Sequence, residues 1–181
     1  MKQILLATTM AAMTGVFPAG LRAETATLQP GAIELGVSGA LTIVEGSTRG
    51  SVALDGALFA RAPGGLASAT VEIGYSHVGS LDLLDLSALI GWTRAAGSTS
   101  LYPFVALAGG VREEWIGSFS DVRYPVGFDA GLRALVSTRA DVRIDYRLRR
   151  VLNDPVEDFT EHEIRIGVAL LFRNRGDNRR R

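Results

Sequence analysis

The sequence predicts an all-β fold, an eight-stranded antiparallel up-and-down transmembrane β-barrel, from three observations. Beyond an N-terminal leader, the chain divides into eight runs in which apolar and polar residues alternate with a period of two. After the leader there is no apolar run of the roughly 18 residues that a membrane-spanning helix needs. Glycine is abundant, with 21 residues, and proline is scarce, with 6, which favours strands and tight turns over a disordered chain.

The leader, residues 1–23, is typical of a secretory signal peptide. Lys2 supplies the positive start, an apolar stretch of small residues follows, and Leu21-Arg22-Ala23 offers a cleavage site before Glu24. The apolar stretch is too short to span a bilayer as a helix. We therefore expect export with cleavage near Ala23, a barrel over residues 24–172 and a basic tail over residues 173–181.

Composition excludes several functions. The chain has no cysteine, which rules out a disulfide framework, a thiolate metal site and a lipid-modified N-terminal cysteine. Its formal net charge is zero, so nothing points to a nucleic-acid partner. No phosphate-binding glycine loop or dinucleotide fingerprint occurs, and we expect no cofactor and no metal.

The first four runs lie near Ala32–Ile43, Ser51–Arg61, Ala67–His77 and Leu84–Thr93. In each run the apolar residues occupy every second position, and charged or small residues occupy the positions between them. The apolar faces of these runs are Ile33, Leu35, Val37, Leu41 and Ile43; Val52, Leu54 and Leu58; Val71, Ile73 and Tyr75; and Leu84, Leu86, Ala88, Ile90 and Trp92.

The last four runs lie near Leu101–Glu113, Phe128–Val136, Val142–Arg149 and Glu163–Phe172. The seventh alternates most clearly, with four apolar residues set against arginine and aspartate. The apolar faces are Val105, Leu107 and Val111; Phe128, Ala130, Leu132, Ala134 and Val136; Val142, Ile144, Tyr146 and Leu148; and Ile164, Ile166, Val168, Leu170 and Phe172.

The two longest connections are predicted over Glu114–Val126 and Arg150–Glu161, after the fifth and seventh strands. Outer-membrane barrels have short periplasmic turns and longer outer loops, so both connections are expected outside. The first contains Trp115, Ile116, Phe119 and Tyr124, which are unusually apolar for a solvated loop. These four residues are the predicted outer-loop contact patch for a protein partner.

Alternation alone does not separate a membrane barrel from a soluble lipocalin-like barrel, whose apolar face points inward. Three observations favour the membrane barrel. The polar face mixes charges with Gly, Ala and Ser, as a narrow interior requires. Tyr75, Trp92, Phe128 and Phe172 lie towards the ends of the predicted strands, as an interfacial girdle requires. The last strand ends on Phe172 after an unbroken apolar alternation.

Three segments carry a resemblance to a known family: 102–110 (YPFVALAGG), 127–133 (GFDAGLR) and 141–147 (DVRIDYR). They resemble strands of the outer-membrane β-barrel superfamily that includes the OmpA membrane domain and the opacity-type porins. The resemblance implies a location in the outer membrane of a Gram-negative bacterium. It also implies contact with outer-membrane lipid and lipopolysaccharide and assembly by the outer-membrane insertion machinery. In that family a terminal aromatic residue closes the chain, whereas nine residues follow Phe172 here.

The polar face supplies a charged lumen. Near-balanced charge in a narrow barrel predicts an ion-pair network that fills the interior, because an unpaired buried charge is costly. A narrow gated pore in which the pairs exchange is an alternative. The predicted network consists of Glu34, Asp55, Glu72, Asp85, Arg112, Asp129, Arg133, Arg143, Asp145, Arg147, Glu163 and Arg165.

An enzyme is the second alternative, since some outer-membrane barrels are lipid A acylhydrolases with a serine, a histidine and an acidic residue. The chain has two histidines. His77 is followed two positions later by Gly79, where that chemistry would use serine, and no serine is close to His162. Glu161-His162-Glu163 and the acidic stretch before it, Asp154, Glu157 and Asp158, match no metal-binding loop. The sequence therefore predicts a non-enzymatic barrel with a structural or surface-interaction role.

Overall fold

The computed structural model describes residues 27–44, 47–95, 100–153 and 157–173. The predicted signal peptide and the tail beyond Arg173 lie outside the described residues. Each of eight strands pairs antiparallel with the next, and the last pairs with the first, so that the sheet closes into a barrel. No helix in this part of the chain is long and apolar enough to cross a membrane. The strands are β1 (Ala32–Val44), β2 (Ser47–Ala62), β3 (Gly65–Val78), β4 (Leu81–Thr93), β5 (Leu101–Ile116), β6 (Phe119–Ser137), β7 (Ala140–Leu152) and β8 (Phe159–Arg173).

The two faces of the strands are those that the alternation predicts. Apolar side chains such as Leu35, Ile90 and Leu107 point outward, and Ile90 is 75% exposed. Charged side chains such as Glu34 and Arg112 point inward and are fully buried. An apolar belt around a charged interior is the reverse of a soluble barrel and is stable only against lipid. The prediction of an eight-stranded membrane barrel is confirmed.

The register of the strands sets how far the barrel is sheared. From Ile33 of β1, the paired residues run through each strand in turn and return to β1 at Ile43, ten residues further along. A displacement of this size tilts the strands by about 40° to the barrel axis. Residues that are far apart in sequence are therefore brought to the same depth in the lumen. The register path is Ile33, Leu58, Ala69, Ile90, Leu107, Phe128, Leu148, His162 and Ile43.

The prediction of a long outer loop over residues 114–126 is wrong. β5 continues to Ile116, a Gly117-Ser118 turn follows, and β6 begins at Phe119. Gly117 has φ of 61°, which suits glycine at the first position of a tight two-residue hairpin turn. The hairpin rises above its neighbour, because the first pairing of β6 with β7 is at Tyr124.

The predicted contrast in loop length is also wrong. Residues 153–158 join β7 to β8 at the predicted outer end. The longer connection, residues 94–100, lies at the opposite end, where β1 begins and β8 ends. A further expectation fails at Phe128, which lies midway along β6 rather than near its end, because β6 begins nine residues earlier. Phe172 does lie one residue from the end of β8.

The end of the barrel that holds the first residue of β1 is sealed by apolar side chains. Residues 27–31 fold across this mouth, where the backbone N–H of Leu28 donates to the Tyr102 hydroxyl at 3.1 Å and that of Gly31 donates to the Phe59 carbonyl at 2.7 Å. Phe59 is only 2% exposed. Ala32, Ala57, Leu66, Leu135 and Leu171 complete this cluster. The seal closes one end of the lumen without a charged group.

Candidate functional site: the lumen and the outer rim

The middle of the lumen is organised around Glu72 of β3. Arg147 of β7 donates to its Oε1 from Nη1 at 2.7 Å, and Arg165 of β8 donates to its Oε2 from Nη2 at 2.5 Å. Arg147 also donates to both oxygens of Asp129 at 2.7 and 2.8 Å. The planar guanidinium suits this bridging because it presents several donors in a fixed fork.

Closer to the outer mouth, Glu161 of β8 forms ion pairs with arginines from three strands. Arg112 donates to its two oxygens at 2.7 and 2.9 Å, and Arg49 donates to Oε1 at 2.6 Å. Arg149 lies 3.1 Å from Glu161 Oε2 and 3.0 Å from Glu163. Arg112 also donates to Asp85 at 2.9 Å. The four strands β2, β5, β7 and β8 are thereby tied together.

Towards the sealed end, the pairs involve Glu34 and its neighbours. Arg133 contacts Glu34 directly and lies 3.0 Å from Asp141. Arg143 lies 3.0 Å from Asp55 and 3.2 Å from Asp145. The Arg133 guanidinium also lies over the Phe59 ring, 4.9 Å from its centroid, and so joins the charged network to the apolar seal.

The structure places all twelve predicted network residues in the lumen, each in an ion pair with another residue. It adds residues that the sequence reasoning missed: Arg49, Glu114, Arg123, Asp141, Arg149 and Glu161. The two-residue alternation along each strand could have identified them. Glu161, for example, lies two positions before Glu163, and Arg149 two after Arg147, so each shares the inward face of its neighbour.

Little space remains between these side chains. Two cavities in the network have volumes of about 20 and 30 Å³, room for a water or two each. A larger vestibule of about 260 Å³ lies at the outer mouth, lined in part by Arg49, Glu114, Arg123 and Phe159. The interior is therefore a shallow cup at the outer end, above a packed network and an apolar seal.

Two small polar clusters lie on the outward wall near the outer rim. In the first, the Tyr75 hydroxyl donates to Asp82 Oδ1 at 2.6 Å, and His77 Nδ1 lies 2.8 Å from the same oxygen. In the second, the Tyr146 hydroxyl lies 2.5 Å from His162 Nδ1. Both histidines therefore sit on the lipid-facing side, each beside a tyrosine.

Comparisons with known proteins bear on the fold. A scan against protein-family models finds no match, and a search of curated proteins finds none either. Among solved structures, Neisserial surface protein A is similar, with a TM-score of 0.58 and 11% identity over 78% of this chain and 96% of that one. The N-terminal β-barrel domain of Pseudomonas aeruginosa OprF has a TM-score of 0.56 and 14% identity, over 79% and 98%.

This chain has the fold of the small outer-membrane barrels. The outer membrane enzyme PagL is similar as well, with a TM-score of 0.50 and 15% identity over 74% of this chain and 97% of that one. Identities this low show the fold alone, so the function of this chain has to be argued from its own residues.

The positions of the two histidines and of their neighbours bear on the acylhydrolase alternative. Ser76 faces the lumen and is buried, whereas His77 points outward. The hydrogen bonds of His77 within the described residues involve Asp82 and no serine. Glu161 and Glu163 point into the lumen and His162 points out, so this tripeptide does not converge on one point. No group of three or more His, Asp or Glu side chains among the described residues is arranged to hold a metal ion.

The predicted contact patch is split by the β5–β6 hairpin. Ile116 and Phe119 face each other at its tip, and Phe119 is 79% exposed. Trp115 precedes Ile116 on β5 and pairs with Ser120 of β6. Tyr124 lies five residues below the tip on the outward wall of β6. The exposed apolar surface at the tip therefore consists of Ile116 and Phe119, carried by strands rather than by a loop, and Trp115 lies half-buried on the other face of the hairpin.

Proposed function

We propose that this protein is a non-enzymatic outer-membrane barrel of a Gram-negative bacterium with a structural or surface-interaction role. The observation that carries the proposal is the filled interior. Each lumen arginine in the described chain contacts a carboxylate, and an apolar cluster seals the inner mouth. Packing of this kind among the described residues supports an interior without a continuous path for water or solute.

The surface role is assigned to the hairpin tip. Ile116 and Phe119 are exposed at the hairpin tip, with Trp115 half-buried beside them, and an exposed apolar surface gains by contact with a protein partner. The remaining partners follow from the location: outer-membrane lipid, lipopolysaccharide and the outer-membrane insertion machinery. Neither nucleic acid nor a cofactor is part of the proposal, in keeping with the zero formal net charge and the sequence motifs discussed above.

Planar-bilayer recordings test the filled interior. The purified, refolded protein is expected to give no conductance steps at moderate voltage, with an open porin as the positive control. Discrete steps would contradict the proposal and favour a narrow gated pore, in which the ion pairs exchange partners. Glu72→Gln, which breaks the central pair, distinguishes the filled interior from the gated pore. If the ion pairs gate a pore, the conductance of this variant differs from that of the wild type.

A lipid A acylhydrolase is the second candidate, and the 2.8 Å contact of His77 with Asp82 on the outward wall favours it. PagL, an enzyme, shares the fold. Cells that express the protein are expected to keep an unchanged lipid A mass profile. Loss of one acyl chain, abolished by His77→Ala but retained in His162→Ala, would establish the enzyme and overturn the non-enzymatic role.

A further inference from the structure

A cluster of basic and hydrogen-bonding side chains lies on the outward wall of β7 and β8 near the outer rim. It consists of Tyr146, Arg150, Thr160 and His162, and we refer to it as the rim basic cluster. Arg150 pairs in register with Thr160, and Leu148 with His162, so these residues are neighbours on one face. The Arg150 Nη1 donates to Thr160 Oγ1 at 3.4 Å, and the Tyr146 hydroxyl lies 2.5 Å from His162 Nδ1.

Arg150 differs from the arginines of the lumen. Each of those contacts a carboxylate, whereas the contact of Arg150 within the described residues is the Thr160 hydroxyl. In the adjoining connection, Asp158 accepts a hydrogen bond from the backbone N–H of Asn153 at 3.1 Å. A guanidinium has five N–H donors, so most of those of Arg150 point away from the protein. The Tyr146 hydroxyl contacts Nδ1 of His162, so Nε2 is the ring nitrogen that remains available for an outward contact.

The height of this cluster matches the lipid headgroups. Arg150 is two residues from the end of β7, and the outward side chains below it, Ile144, Ile164 and Ile166, are apolar and half exposed. An arginine at the edge of an apolar belt extends its charged end to the polar interface. The start of β1 and the end of β8 lie at the other end of the barrel, which is the periplasmic end in outer-membrane barrels. The interface next to Arg150 is therefore that of the outer leaflet.

The opposite side of the rim provides a natural contrast. There Tyr75 and His77 both contact the Asp82 carboxylate, whereas on the β7–β8 side the tyrosine and the histidine contact each other and Arg150 contacts Thr160. Glu113 lies on the next strand of that wall. On the strands themselves, the outward charged side chains near the rim are Asp82 and Glu113 on β4 and β5, and Arg150 on β7, while Glu157 and Asp158 lie in the connection that follows β7.

We propose that the rim basic cluster binds a phosphate group of lipid A, the phosphorylated glycolipid of the outer leaflet. The proposal rests on the outer-membrane location proposed above. Arg150 supplies the charge and a fork of donors that fits phosphate oxygens, and Thr160 and His162 supply neutral donors beside it. The apolar belt below the cluster then contacts the acyl chains of the same lipid.

Native mass spectrometry of the purified, refolded protein in detergent tests this site. The probes are lipid A with both phosphates, the same lipid A after dephosphorylation, and phosphatidylglycerol. The wild type is expected to retain phosphorylated lipid A on the order of fivefold better than the dephosphorylated lipid, the effect of one charge-assisted contact at an interface. Arg150→Gln is expected to lose this preference, and His162→Gln to lose part of it.

Asp82→Asn is the matched control, since it removes a charge from the opposite side of the rim and is expected to leave the preference unchanged. Arg150 makes one long side-chain hydrogen bond, so Arg150→Gln should fold, and a heat-modifiable gel shift verifies this. Equal retention of lipid A by the wild type and Arg150→Gln would overturn the proposal. Equal retention of phosphatidylglycerol and lipid A would overturn the assignment to lipid A. Neither result depends on the conductance or acyl-chain measurements that test the proposed function.

Discussion

Glu72 of β3 and Arg147 of β7 meet across the full width of the barrel, with Arg147 Nη1 2.7 Å from Glu72 Oε1. The two strands are four apart in a ring of eight, so they form opposite walls. Both side chains are almost completely buried. The pair therefore braces the barrel from the inside, and Arg165 and Asp129 extend the brace to β8 and β6.

Glu72→Gln is expected to destabilise the folded barrel by about 3 kcal/mol, because it removes the shortest carboxylate contact of Arg165 and one of the two carboxylates that Arg147 bridges in a buried site. The measurement is urea unfolding in detergent or bilayers, followed by the heat-modifiable gel shift. Glu113→Gln is the control, since that carboxylate lies on the outward wall and has no ion-pair partner among the described residues. An equal stability loss in both variants would contradict the brace.

Gly131→Ala is expected to destabilise the barrel by roughly 1–3 kcal/mol through overpacking. A Cβ at this inward position of β6 would lie 2.6 Å from the Cβ of Asp145 and would also meet the carbonyl oxygen of Ile144. Gly109→Ala, where a Cβ meets nothing within 4 Å, is the matched control. The fraction folded after refolding into detergent gives the comparison. Equal yields would show that β6 and β7 can separate at no cost.

Tyr102→Phe is expected to loosen the seal at the inner mouth. The substitution removes the acceptor of the Leu28 N–H, and an unsatisfied buried amide costs about 1–3 kcal/mol. Hydrogen exchange at the Leu28 amide should become faster, while exchange in the strands stays unchanged. Tyr124→Phe, on the exposed outer wall, should leave that amide protected. If the Leu28 amide exchanges freely in the wild type, the seal is not closed.

The double variant Ile116→Ser/Phe119→Ser is expected to lower the surface hydrophobicity of cells that express the protein. Partition of these cells into hexadecane measures the change, with equal amounts of folded barrel verified by gel shift. Val78→Ser is the control, because Val78 is also exposed at a strand end but lies at the mouth of the vestibule. Unchanged partition of the double variant would argue against the hairpin tip as the contact surface.

Much of this barrel follows from local pattern. A period of two assigns each side chain to one face wherever one face meets lipid and the other a charged interior, which is why the inward positions of Glu34 and Arg165 were predictable. The pattern led to a wrong prediction at residues 114–126, where the difference between an apolar outward face and a charged inward face is weak. Val122, Tyr124 and Val126 continue the outward alternation of β6, and Gly117-Ser118 is a typical hairpin turn, yet the charged and aromatic residues around them resemble a loop.

The sequence by itself determined the alternation, the strand number and the charge of the lumen, because these depend on the neighbours of each residue along the chain. Only the tertiary structure decided which charges meet. The ten-residue displacement around the barrel brings Glu72 level with Arg147 and Glu161 level with Arg49 and Arg112. The register also places residues 27–31 across one mouth and sets Arg150 beside His162. Register depends on the packing of all eight strands at once, and no single segment of the chain contains it.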